Sequence, residues 1–367
     1  MDSRLLARLD AALAASKDVV DKACLRAERA AFIARQGHLA DAQAEIDKLH
    51  RVFDTHAVAR LSAWLHFAQA MHGLYALGGG RDALQRAHAL SRAAHVPRLS
   101  ALCAAWQAQF DYAAHALPAM VEHLVDALTT INVEDHAVSA RAHLVLACAL
   151  HYAGRLDLAQ PWYTSARVHA LADGDEAALS ALLHNQAGIR GTESRLEVLF
   201  GGAEPSHQAL LGAESAAHYD AGVGTASLAA WVPMLRAPLL VSEGAYAQAL
   251  QLYELHFDTA MAQGLARQRA CFVADMAWCR FQLGQIDDLQ EQIAQVQAAL
   301  LQDCDVDDRA WAQARMAQLW RALGDEGLAA QAQAQAWAHV ASHRIEQQRV
   351  LALLDARLSE GLRTRPC

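Results

Sequence analysis

The stretch GRLDLAQPWYTSA, residues 154–166, carries the reading that decides the fold. Its opening Gly154 is followed by a small residue five positions on (Ala159), an aromatic at nine (Tyr163) and a small residue at twelve (Ala166). The phrase returns at Gly37 (Ala42, Ile46, Leu49), Gly78 (Ala83, Ala87, Leu90) and Gly244 (Ala249, Tyr253, His256). Looser copies stand at Gly284 (Leu289, Ile293, Val296) and Gly324 (Ala329, Gln333, Ala336). Neighbouring copies lie about 40 residues apart, and repetition at a fixed period marks a structure that grows by stacking units.

Each phrase sits between two apolar-periodic segments. Before Gly37, residues 18–36 place Val19, Cys24, Ala27, Ala31 and Ile33 on one side; after it, Leu39, Ala42, Ile46, Leu49 and Phe53 form one stripe. That is the 3.6-residue period of a helix, so the unit is helix, tight turn, helix. Glycine closes the first helix in the left-handed conformation, and the small residue five positions later admits the second helix closely. Between Gly78 and Gly154 there is room for one more unit. It lacks the glycine: His115 takes the turn, with Met120, Leu124 and Ala127 at the expected offsets and Pro118 in the first helical turn, where a missing N–H is tolerated. Between Gly154 and Gly244 there is room for two units. A helix is expected from Asp175 through His184 to Ile189, then an irregular connection over 190–206 where Gly191, Gly201, Gly202 and Pro205 crowd, then a helix from Ser206 to about Asp220. Pro233 and Pro238 fall where the next first helix belongs, so that helix either starts late, at Pro233, or is kinked. The whole reads as a single all-α array over residues 1–367: an N-terminal cap at 1–16, eight hairpins over about 18–345, and a C-terminal cap at 346–360.

The phrase resembles the tetratricopeptide repeat family, in which a small residue marks the first helix and Gly, Ala, an aromatic and Ala mark the turn and second helix. The matching residues are Ala147, Gly154, Ala159, Tyr163 and Ala166 in one unit, Ala237, Gly244, Ala249 and Tyr253 in another, and Ala277, Gly284 and Ile293 in a third. The period exceeds that family's usual repeat of about 34 residues, and the motif's terminal proline is missing throughout. Long-period variants of this kind look like the sensor domains of bacterial transcription activators of the maltose-regulon type, or the peptide-sensing Rap-like regulators. The resemblance implies a right-handed α-α superhelix, a solenoid of about eight hairpins with capping helices. It also implies a concave groove, lined by the first helices, in which a peptide lies. Carrying over first-helix positions gives Arg141 and His151 in unit four, Asn185 and Arg190 in unit five, Trp231 in unit six and Trp278 in unit seven as partner-binding residues. Asn185 offers donor and acceptor to a peptide backbone, and an arginine offers a fork to a carboxylate. The tryptophans equally suit packing between units.

Composition narrows the functional classes. A net charge of −9, with no cluster of Lys and Arg, argues against a nucleic-acid or anionic-membrane binder. No apolar h-region opens the chain and no long apolar run crosses it, so a cytoplasmic protein without a membrane span is expected. Seven cysteines without framework spacing read as reduced thiols. Nineteen histidines invite a metal test. His339 and His343 are spaced i, i+4, but no acid or cysteine completes the face. The run from Asp303 to Asp308 fails as a calcium loop, since Asp308 and Ala314 stand where Gly and a bidentate Glu belong. It reads instead as an acidic lead into a helix N-terminus. Gly78-Gly79-Gly80 follows a helix and lacks Gly-Lys-Ser/Thr, so it is a turn and not a phosphate loop. No nucleophile motif appears. The expectation is a regulatory protein–protein interaction module that binds a peptide or partner segment in its groove, with units five and six as the site. The alternative is a small-molecule sensor acting through a partner. No enzyme activity, cofactor or metal is expected.

Overall fold

A computed structural model of the chain describes residues 3–77, 79–130, 132, 134–205, 207–224 and 230–358. Gly78, Ser206, Cys367 and the last two residues of the expected C-terminal cap lie outside them. Among the described residues there are seventeen α-helices and no strand. After α1 (Arg4–Ala15) the helices follow as pairs. These are α2 (Val19–Arg35) with α3 (Leu39–Thr55), α4 (Ala59–Leu77) with α5 (Arg81–Ala93), α6 (Pro97–Ala113) with α7 (Leu117–Thr130), and α8 (His136–Tyr152) with α9 (Leu156–Asp173). Then come α10 (Glu176–Leu196) with α11 (His207–Val223), α12 (Trp231–Ser242) with α13 (Tyr246–Ala260), α14 (Arg269–Gln282) with α15 (Leu289–Leu300), and α16 (Val306–Ala322) with α17 (Glu326–Leu358). Each helix of the first four pairs packs on its partner, as do α12 on α13 and α14 on α15. This is the packing of a helical repeat. No helix among the described residues is long and apolar enough to cross a membrane.

The glycine phrase works as its chemistry requires. Gly154 has φ 73°; its N–H donates to His151 O at 2.8 Å, and Arg155 N–H donates to Leu150 O at 2.9 Å. Those two bonds satisfy carbonyls that the end of α8 would leave orphaned. His115 adopts the same left-handed turn at φ 53°, with Ala116 N–H on Asp111 O at 2.8 Å, at a conformational cost of about 1–2 kcal/mol that glycine avoids. A second histidine, His95, turns the chain in the same way before α6. The small residue at the fifth position is fully buried in Ala42, Ala159, Ala249 and Ala329.

Two expectations are corrected. The stretch 190–206 is mostly helical: α10 runs on to Leu196, a wider π-type turn covers Glu197–Gly201, and only 202–205 are non-helical before the next described helix. Of its glycines, Gly191 packs inside α10, whereas Gly202, at φ 67°, ends the helical stretch with open space around it. A Cβ on Gly188 would stand 3.5 Å from Leu235, and one on Gly191 3.9 Å from Leu239, so α12 lies close against this face. The C-terminal cap is not a separate helix either, because α17 continues unbroken from Glu326 to Leu358. Nothing in that stretch supplies a turn residue. As for the two prolines, α12 starts at Trp231, with Pro233 in its first turn and Pro238 inside it.

By their contacts the residues form two compact units, one within 1–182, 219–227 and 349–367, the other within 183–218 and 228–348. In the first unit the chain returns on itself. Ser3 caps α1 and donates to Glu176 at 2.6 Å, Arg8 pairs with Asp173, and Leu5 N–H donates to Gly174 O at 3.3 Å. Leu5 and Leu9 pack with Phe32 and Ala177. Arg98, opening α6, pairs with Glu28 of α2 at 2.6 Å. Gly174 is the seat of this return: at φ +73° its Cβ would lie 2.7 Å from Arg4 Cβ. Gly174→Ala is therefore expected to cost about 1–2 kcal/mol from the backbone conformation alone and to loosen α1. Urea unfolding together with proteolysis at residues 4–15 checks this; unchanged protection of α1 would contradict it.

Candidate functional site

The first helices of the first unit bring one set of polar and aromatic side chains together. α8 buries thirteen of its seventeen residues and α6 eleven of seventeen, so most of each helix is packed against its neighbours. Within that interior Asp175, just ahead of α10, receives both terminal nitrogens of Arg35, from the end of α2, at 2.8 and 3.1 Å. Burial pushes the Arg35 guanidinium down, but Asp175 and the hydrogen-bonded Tyr75 of α4 carry it above its ordinary value. Trp106 of α6 lies under two cations, 3.8 Å from the Arg141 guanidinium and 5.3 Å from that of Arg35.

Arg141 is the least compensated of these groups. It is 5% exposed, its Nη1 donates to Gln109 at a long 3.4 Å, and its buried Nη2 has no hydrogen-bond partner among the described residues. Burial pushes it down to about 10; Tyr75 and Asp175 oppose this and Arg35 adds to it. Two guanidiniums thus face one carboxylate. Stacking on Trp106 offsets part of the cost of burying Arg141. Tyr75, bonded to Arg35, and Gln109, bonded to Arg141, are half-buried.

The other expected groove residues lie elsewhere. His151 does not face a groove: it is fully buried, its Nδ1 3.1 Å from Tyr163 Oη of α9, because the hairpin turns that side of α8 toward its partner helix. Asn185, Arg190, Trp231 and Trp278 belong to the second unit. Asn185 is half-buried and Arg190 is exposed. Trp231 packs on the cluster around Met234 and Tyr253; Trp278 bridges that cluster and the one around Ile293, stacked on Phe281 at 5.6 Å. Both tryptophans thus take the packing role open to them. Sequence reasoning missed Arg35, Tyr75, Trp106 and Asp175. Trp106 occupies a first-helix core position, so its only signal was that of packing, and Asp175 read as the start of a helix.

Other chemistry-bearing groups are engaged. No group of three or more His, Cys, Asp or Glu among the described residues could hold a metal ion. The acidic run near 303 is held by an arginine: Arg267 pairs with both Asp303 and Asp305. Burial pushes the Cys24 thiol up to about 11 and those of Cys148, Cys279 and Cys304 up to about 12, which leaves them protonated and unreactive. No protein family model and no curated protein matches this chain.

Proposed function

We propose that the chain is a tetratricopeptide-like regulatory module that acts by binding, and that the interior face of its first unit takes an acidic group of a partner protein segment. The observation that carries this reading is Arg141, a buried guanidinium with an unused edge and no carboxylate of its own. An arginine held flat on an aromatic ring presents that edge to a carboxylate in a fixed fork. The long-period repeat resembles the sensor domains of bacterial maltose-regulon-type activators and Rap-like regulators, whose work is also recognition.

Arg141→Gln separates this reading from a structural one. Removing a buried, incompletely paired charge is expected to leave the melting temperature unchanged or raised, while affinity for a partner captured from native lysate on the wild-type chain falls at least tenfold. The pair of measurements is thermal unfolding and titration of that partner against both proteins. Loss of stability with binding retained would show that Arg141 serves the fold alone and would end the assignment.

A further inference from the structure

The second unit holds a pocket of about 420 Å³ between α15, α16 and α17, a volume typical of small-molecule sites. Leu300, Met316 and Ala332 are its buried apolar residues, and the half-buried Trp320 lines it beside them. No carboxylate lines it. Arg309 does, half-buried in the first turn of α16. Its guanidinium donates to three main-chain carbonyls around the end of α15, from Nη1 to Leu300 at 2.8 Å, from Nη2 to Gln302 at 3.0 Å and from Nε to Cys304 at 3.1 Å. A guanidinium has five N–H donors, so one is left on each terminal nitrogen. Among the described residues no carboxylate pairs with Arg309; the nearby Asp305 pairs with Arg267, and Asp308 faces Arg195 at 3.9 Å. The carbonyls at a helix C-terminus carry about half a negative charge, which leaves the guanidinium net positive. That charge reaches across the pocket: after burial, it is what holds His339, on the α17 wall, below the ordinary histidine value.

We infer that this pocket binds a small carboxylate with a single negative charge and a flat apolar body. The sign follows from the lining, since an anion meets a guanidinium with donors to spare and no opposing carboxylate, whereas a cation meets repulsion alone. A single arginine, already partly offset by carbonyls, balances one charge and not the two of a phosphate. The body follows from the remaining wall. Leu300, Met316 and Ala332 gain by covering hydrocarbon, and the Trp320 indole suits a flat ring. This inference concerns the second unit and does not rest on the Arg141 reading.

The test uses the full chain and three probes at millimolar concentration: benzoate, its neutral isostere benzamide, and acetate, which has the charge without the ring. In ligand-observed NMR benzoate should bind, and the other two should bind at least tenfold more weakly. Saturating benzoate, but not benzamide, should raise the pH at which the His339 ring titrates, because the bound anion offsets Arg309; a His339→Gln spectrum assigns the signal. Arg309 also holds the end of α15, so the diagnostic variant is Gln335→Glu, at an exposed position on the pocket wall. Its new carboxylate should weaken benzoate at least tenfold, and Arg141→Gln should leave benzoate unchanged. Benzamide or acetate binding as tightly as benzoate, no binding of benzoate, an unmoved His339 titration, or benzoate binding retained in Gln335→Glu or lost in Arg141→Gln would each overturn the proposal.

Discussion

Asp275→Ala is expected to destabilise the protein by about 3–5 kcal/mol, because it removes one partner of a buried ion pair and leaves the other charge behind. Asp275 lies on α14 and is fully buried. Its carboxylate accepts from Arg315 Nε at 2.9 Å, Trp311 Nε1 at 2.9 Å and Tyr253 Oη at 3.1 Å. Burial pushes Asp275 up, and Arg315 and Arg195 pull it back. The cations around it are also enclosed. Arg315 is 5% exposed and sits 4.7 Å from the Trp311 ring; Arg195 lies 4.9 Å from the same ring, with Nη1 3.2 Å from Cys271 Sγ. Alanine at 275 strands three donors at once. Asparagine keeps the shape and one acceptor, so Asp275→Asn should cost less than Asp275→Ala. Urea midpoints of the three proteins measure the series. A loss under about 1 kcal/mol for Asp275→Ala, the size of an ordinary surface pair, would show that the network does not hold the second unit together.

Acid should weaken the protein through His143. Its ring is packed 5.0 Å from Trp162 and 5.4 Å from His169, with Nδ1 3.0 Å from Ser165 Oγ. Burial, and then His169, holds it down at about 4. In the unfolded chain a histidine titrates near 6.5. Above pH 6.5 neither state takes the proton and the folded state keeps its full advantage. As pH falls from 6.5 to about 4 the unfolded chain binds a proton that the folded chain refuses, so stability is lost across that window. A shift of this size corresponds to about 3 kcal/mol. The neighbours add to the loss. His169 is held down by burial and by His136, whose Nδ1 is 2.9 Å from its own. Burial lowers His88 and His66 as well. His143→Phe should flatten most of the acid limb: the difference in unfolding free energy between pH 7.5 and pH 4.5 shrinks while stability at pH 7.5 changes little. An acid limb as steep as that of the wild type would place the sensitivity elsewhere.

Much of the fold was legible in the chain because its determinants are local. The glycine phrase placed the turns at Gly37, Gly154, Gly244, Gly284 and Gly324, each in the left-handed conformation. Ser3 and Asp18 start α1 and α2 with side-chain caps. Where reading failed, the signal was ambiguous by nature. A glycine inside a helix, such as Gly191, looks like a breaker until the helix packed on it is known. A histidine at a turn, such as His95, carries no mark that it will take φ 53°.

The candidate site was legible only in part. Arg141 stood out as a first-helix arginine, but its surroundings did not. Arg35 and Asp175 are 140 residues apart in the chain, as are Arg98 and Glu28 across 70. Such meetings depend on how each hairpin packs on others along the chain, which the spacing of glycines does not encode. So the sequence by itself determined the helices, their turns and their pairing, all set within some forty residues by backbone conformation and the 3.6-residue period. The tertiary structure alone decided which charges are buried together and which arginine is left with an unused edge, because those follow from packing between helices far apart in the chain.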